Sequence, residues 1–264
     1  MMWRRSSVMT GAVFLSMVLA SPVVANNAWG DYHWDGTSTP VALTLEDNLS
    51  PSWSTVLGTV EADWDASGAL DLTIDSSPDG STNCGDPLAN VGPANPGEIE
   101  VCNGLYGTNG WLGVARIWIA ADGTHISAGI AAVNDSYLGS GGAYDNANAR
   151  RHVLCQEVGH TFGLDHQHGP RNQTCMNDQW GLTSSSFLTP NQHDYNQLNT
   201  IYAHLDGTTG DDGAGNGGPP CSKNPSHPNC VNGSPGAPYS VERLANGQTV
   251  VTWITWAPEH GPTS

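Results

Sequence analysis

The run Gln156-Glu157-Val158-Gly159-His160-Thr161-Phe162-Gly163-Leu164-Asp165-His166 decides how this chain is read. On an α-helix, positions 156 and 160 lie one turn apart on the same face, so their side chains can grip a single metal ion. Glu157 lies beside them, close enough to a metal-held water to take its proton. Gly163 is a helix stop, because only glycine enters the left-handed C-terminal turn without steric cost. Beyond it, His166 can swing back as a third ligand. Three protein ligands and one open position describe a catalytic zinc, not a structural one. The helix itself is predicted from a cap at Asn146 or Asn148 to about Phe162, with Leu154, Val158 and Phe162 on its core face. His152 is excluded as a ligand, since eight residues put it about 12 Å from His160 along the axis. His168 is an alternative to His166, at the cost of the Gly163-x-x-His166 spacing.

Working outward, Val41–Leu45 and Leu70–Ile74 alternate as strands do, and Trp53, Leu57 and Val60 fall on one side of a helix between them. Ser76–Gly97 is loop-rich. Leu112–Ala120, apolar on both faces, suits a buried strand, and Ile126–Asn134 follows it after the turn Asp122-Gly123. A second helix is signalled by Thr189 as cap, Pro190 in the first turn and Gln192 closing a capping box, with Tyr195, Leu198, Ile201 and Leu205 as its apolar stripe. His193 and Asp194 are read as capping or supporting residues, Arg150 and Arg151 as a solvated helix face, and the tryptophans as core.

These residues resemble the metzincin signature, H-E-x-x-H-x-x-G-x-x-H followed by a methionine turn, at every position but the first, where Gln156 replaces histidine. Thr174-Cys175-Met176-Asn177, ten residues past His166, resembles the turn that floors the metal site. Gly110–Ala115, His125-Ile126 and Val133–Asp135 resemble the sheet of the matrixin-like and small bacterial secreted branches, and Pro190–Tyr195 the start of their C-terminal helix. The likeness runs from Asp31 to Asp206. It implies an α+β, zincin-like catalytic domain with a mixed twisted sheet, an active-site helix and a C-terminal helix. It also implies Zn2+ on Gln156, His160 and His166, with Glu157 as general base of peptide hydrolysis, Gly163 as the turn glycine and Met176 beneath the metal. The substrate, a protein or peptide, would pair as an added strand along an edge strand upstream of the helix, expected at Ile126–Asn134.

Glutamine at the first position leaves three outcomes open. Its amide oxygen ligates the metal, it holds a water that does, or the metal is lost and the chain is a pseudoenzyme or binding module. Six cysteines allow fifteen pairings. Proximity suggests Cys84 with Cys102 and Cys221 with Cys230. Cys155 and Cys175 remain, adjacent to Gln156 and Met176, and a bond between them would staple the active-site helix to the methionine turn.

Residues 1–25 read as an export signal, with Arg4 and Arg5 before an apolar run and small residues ahead of a cleavage point at Ala25. Its removal leaves 239 residues and a formal charge of −19, because two of the eight basic residues go and all 25 acidic ones stay. Such a surface repels nucleic acid and anionic lipid, and it leaves room for weak Ca2+ sites. No later stretch is long and apolar enough to cross a membrane. The expectation is therefore a secreted monomer with a catalytic domain at 26–206, a Gly/Asp/Pro linker at 207–220 and a small β-rich C-terminal module at 221–264. In the last, Asn246-Gly247 marks a tight hairpin.

Overall fold

The computed structural model describes residues 28, 32–77, 85–89, 96–167, 171–177, 184–206 and 239–258. The export signal, the linker, His168, Cys84, Cys221 and Cys230 lie outside them. The described elements are β1 (His33–Trp34), β2 (Val41–Asn48), α1 (Ser54–Asp65), β3 (Leu70–Asp75), β4 (Ile99–Gly104), β5 (Trp111–Ile119), β6 (His125–Asn134), α2 (Asp135–Leu138), α3 (Ala147–Thr161), a 3-10 turn (Ser185–Phe187), α4 (Gln192–Ile201), β7 (Tyr239–Arg243) and β8 (Thr249–Trp256).

All eight strands form one mixed sheet in the order β3-β2-β4-β6-β5-β8-β7, with β1 pairing the start of β6. β3, β2, β4 and β6 are parallel, while β5 runs antiparallel to β6 and β8 antiparallel to β5. Every residue of β5 is buried, as its unbroken apolar run requires of a strand covered on both faces. Helices α1 and α3 pack on the sheet and on each other. Leu57, Val60 and Trp64 of α1 and Val153, Leu154 and Val158 of α3 fill the main core. The pleat sends alternate side chains of β5 and β6, among them Trp118, Ala128, Ile130 and Ala132, to a smaller cluster on the other face. Six tryptophans, Trp34, Trp53, Trp64, Trp111, Trp118 and Trp253, are buried, as the core reading expected.

Three expectations need correction. The second long helix begins later: Asn191, not Thr189, is the cap, accepting from the His193 and Asp194 amides while the Asp194 carboxylate accepts from the Asn191 amide at 2.9 Å. Aspartate thus plays the part expected of Gln192, and Pro190 stays outside the helix. Strand β6, expected at an edge, is interior, flanked by β4 and β5. Finally, Tyr239–Trp256, placed in a separate C-terminal module, is an edge hairpin of this same sheet. Its turn carries Gly247 at φ 91°, a conformation in which a Cβ is strained. β4 was not anticipated at all.

Candidate active site

Helix α3 starts at the Asn146 cap, whose side chain accepts from the Ala149 amide at 2.9 Å. It ends one residue before Phe162, and Gly163 at φ 89° turns the chain away. A Cβ at Gly163 would collide with the Tyr32 carbonyl oxygen, so this position demands glycine twice over. The turn does what the spacing predicted. It brings His166 Nε2 to 3.0 Å from His160 Nε2, with the rings at 77°.

The imidazole of His160 is fixed from both sides. Its Nδ1–H donates to the Leu164 carbonyl at 2.9 Å, which leaves Nε2 bearing the lone pair, and its ring stacks on Trp253 at 4.9 Å with 7° between planes. Burial, reinforced by the neighbouring His166, holds its pKa well below the ordinary histidine value. The ring is therefore neutral at neutral pH, the form a metal ligand requires.

Gln156 and Glu157 are fully buried, and the reason lies in the sheet. Glu157 presses against Gly113 of β5, where any Cβ would overlap the carboxylate. Gln156 accepts, through Oε1, a 2.6 Å hydrogen bond from the Thr255 hydroxyl of β8. Neither Glu157 oxygen nor Gln156 Nε2 has a partner at hydrogen-bond geometry. Desolvation consequently pushes the Glu157 carboxyl up to about 8, against the lowering effect of the nearby Thr255 hydroxyl. A glutamate in such a place is a far stronger base than one in water.

Beneath the helix, Met176 packs at Gly159, where a Cβ would sit 2.5 Å from its sulfur. The turn carrying it is held on three sides. Met176 O accepts from the Gln167 amide at 2.8 Å, the Cys175 amide donates to Thr189 O at 3.0 Å, and the Thr174 hydroxyl donates to Asp194. Asp194 also accepts from Gln167 Nε2 at 2.6 Å, so one buried carboxylate ties α4, the methionine turn and the His166 loop together. Cys155 and Cys175 are disulfide-bonded, joining the residues beside Gln156 and Met176. Cys102 is also disulfide-bonded, and its proposed partner Cys84 lies outside the described residues.

His152 is buried away from this cluster, its Nδ1 2.7 Å from the Phe187 carbonyl, in keeping with its exclusion. Arg150 and Arg151 are less idle than a solvated face: they pair with Asp145 and Asp63, each at 2.7 Å. Sequence reasoning missed Thr255 and Trp253, which reach the site from about a hundred residues away, and nothing local in their strand marks them. It also missed His33, His125 and Asp206, whose donor atoms lie within 4.8 Å of one another.

No protein-family model and no curated protein sequence matches this chain. Among solved structures it is similar to an archaemetzincin from Methanopyrus kandleri, at 16% identity over 66% of this chain and 98% of that one, with a TM-score of 0.36. At that distance the likeness says nothing about chemistry, which the side chains alone must carry.

Proposed function

We propose that this chain is a secreted, zinc-dependent endopeptidase in which Gln156, His160 and His166 hold the metal and Glu157 is the general base. The observation that carries the reading is the 3.0 Å approach of the His160 and His166 Nε2 atoms beside the fully buried Glu157 carboxylate. At that separation either a proton on one ring or a cation lies between the two nitrogens, and a zinc ion fits this donor set. Gln156 Oε1 has a second lone pair beyond the one engaged by Thr255, so the amide can serve as the third ligand without losing that bond.

Zinc held there would polarise the scissile carbonyl and acidify the attacking water. Glu157 takes the proton of that water as its oxygen bonds to the carbonyl carbon. It then returns the proton to the departing amine as the C–N bond breaks. Burial tunes the carboxyl for this exchange, because a base is most effective with a pKa near the working pH. His160 is kept in the correct tautomer by Leu164. The disulfide and Asp194 hold the floor of the site still.

A second reading, a zincin-fold protein that binds without cleaving, is favoured by the Thr255 contact on Gln156 and the Trp253 ring stacked on His160. Elemental analysis of wild-type and His166→Ala protein separates the two. The enzyme reading expects zinc that depends on His166, and casein hydrolysis that a chelator abolishes. Glu157→Ala should lower that activity by about 10²-fold or more while leaving the circular dichroism unchanged. Zinc content indifferent to His166, with no cleavage, leaves the binding reading standing instead.

A further inference from the structure

We propose that His33, His125, His204 and Asp206 form a second, closed zinc centre that is structural rather than catalytic. Asp206 Oδ1 lies 3.5 Å from His33 Nε2, 3.3 Å from His125 Nε2 and 3.4 Å from His204 Nε2, while the Nε2 atoms of His33 and His204 are 3.0 Å apart. Four ligands about 2.0–2.1 Å from one tetrahedral ion stand about 3.3 Å from each other, and the four separations above, from 3.0 to 3.5 Å, are of that size. If every imidazole donated to the carboxylate, His33 and His204 would point two N–H groups at each other across 3.0 Å, whereas a single cation would engage all four atoms at once.

The surroundings are those of a metal centre. His125 Nδ1 is 2.9 Å from the Asp122 carboxylate, which accepts its proton and, in the neutral ring, leaves the Nε2 lone pair for a metal. The spare oxygen of Asp206, Oδ2, accepts from the Gly36 amide at 2.8 Å, so Oδ1 is the one presented. The His33 and Asp206 side chains are nearly buried, and that of His204 is 48% exposed.

With all four ligands from the protein, there is no open position for substrate. The centre instead joins three remote stretches: β1, the start of β6 and the segment that follows α4. The residues next to its ligands reach α3. Trp34 Nε1 donates to Thr161 O at 2.8 Å, and the Tyr202 hydroxyl to Phe162 O at 3.1 Å. These are the last carbonyls before the Gly163 turn, so the metal would brace the end of the helix from which His166 swings back. A two-residue strand such as β1 makes too few ladder bonds to hold this corner by itself.

This proposal does not rest on the proposed function, since it shares no ligand with it. Full-length protein loaded with zinc and then desalted should hold about one metal ion per chain more than His204→Ala, whether or not the His160 site is also filled, with cobalt giving the strong visible bands of tetrahedral coordination. His204 is chosen because it is the most exposed ligand. The direct measurement needs no variant: anomalous diffraction at the zinc edge from wild-type crystals should show a peak among the four side chains. An empty difference map at that point, or zinc content identical in wild type and folded His204→Ala, overturns the centre. A peak there with none at His160 would sink the enzyme reading and leave this one intact.

Discussion

At the scale of single residues, Glu157 and Gln156 carry the sharpest tests. In chelator-stripped protein the Glu157 carboxyl holds its proton up to about pH 8, whereas in the unfolded chain it gives it up near 4.5. The folded state therefore binds the extra proton between those values. Its stabilising contribution is complete below about 4.5 and is lost as the pH rises towards 8. The shift amounts to a few kcal/mol, about 4–5 at most, since each pKa unit is worth 1.36. Glu157→Gln should erase that slope. Urea titrations of both stripped proteins at pH 5 and 8.5 read it directly, and equal slopes would mean that the carboxyl is hydrated after all. Gln156→His should tighten zinc by about tenfold or more, because imidazole is the better donor and even indirect changes to a zinc site move affinity by that much. A competition titration against a coloured chelator measures it. Weaker binding in this variant would mean that the Thr255 bond to the amide matters more than ligand strength.

At the scale of elements, what the sequence made legible was local and what it hid was not. The start and end of α3 were readable because a capping asparagine and a positive-φ glycine act within one turn of themselves. Asn146→Ala should accordingly cost about 1 kcal/mol in a denaturation experiment. The α4 start is misread from sequence because Thr189 and Asn191, two residues apart, can each cap a helix, and only the geometry shows Asn191 and Asp194 exchanging bonds. β4 escaped notice because Ile99–Gly104 alternates weakly and follows a run of loop residues, so its pairing with β2 and β6 is a tertiary outcome. The bond between Cys155 and Cys175 was suggested by what each cysteine sits beside. It closes a loop of 20 residues, and replacing both by alanine should lower stability by about 3 kcal/mol. The same variant should hold zinc more loosely, because the helix and the methionine turn lose their covalent tie. Unchanged affinity would show that Asp194 and the core suffice to fix the floor.

At the scale of the whole molecule, the hairpin of β7 and β8 changes how the site is reached. A peptide that binds by strand addition needs a free edge beside α3. The strand next to Glu157 is β5, and β5 is already paired on both sides, with β6 and with β8. β8 also places Thr255 on Gln156 and stacks Trp253 on His160. For a substrate that adds as a strand to β5, the hairpin would stand in its place, and displacing it should raise activity. Two variants test this. A chain ending at residue 238 removes the hairpin outright but bares the β5 edge, which invites aggregation. Ile254→Pro is gentler. Ile254 pairs with Val114 of β5 and lies beyond the last β7 pair, Tyr239 with Trp253, so proline there interrupts the β5 ladder and spares the hairpin itself. At equal zinc occupancy and with folding checked by circular dichroism, kcat/KM on an extended peptide should rise by about tenfold or more, the equivalent of releasing about 1.4 kcal/mol of strand pairing. If instead both folded variants cleave no faster than the full chain, β8 is a wall of the site, and the substrate must approach along some other face of α3.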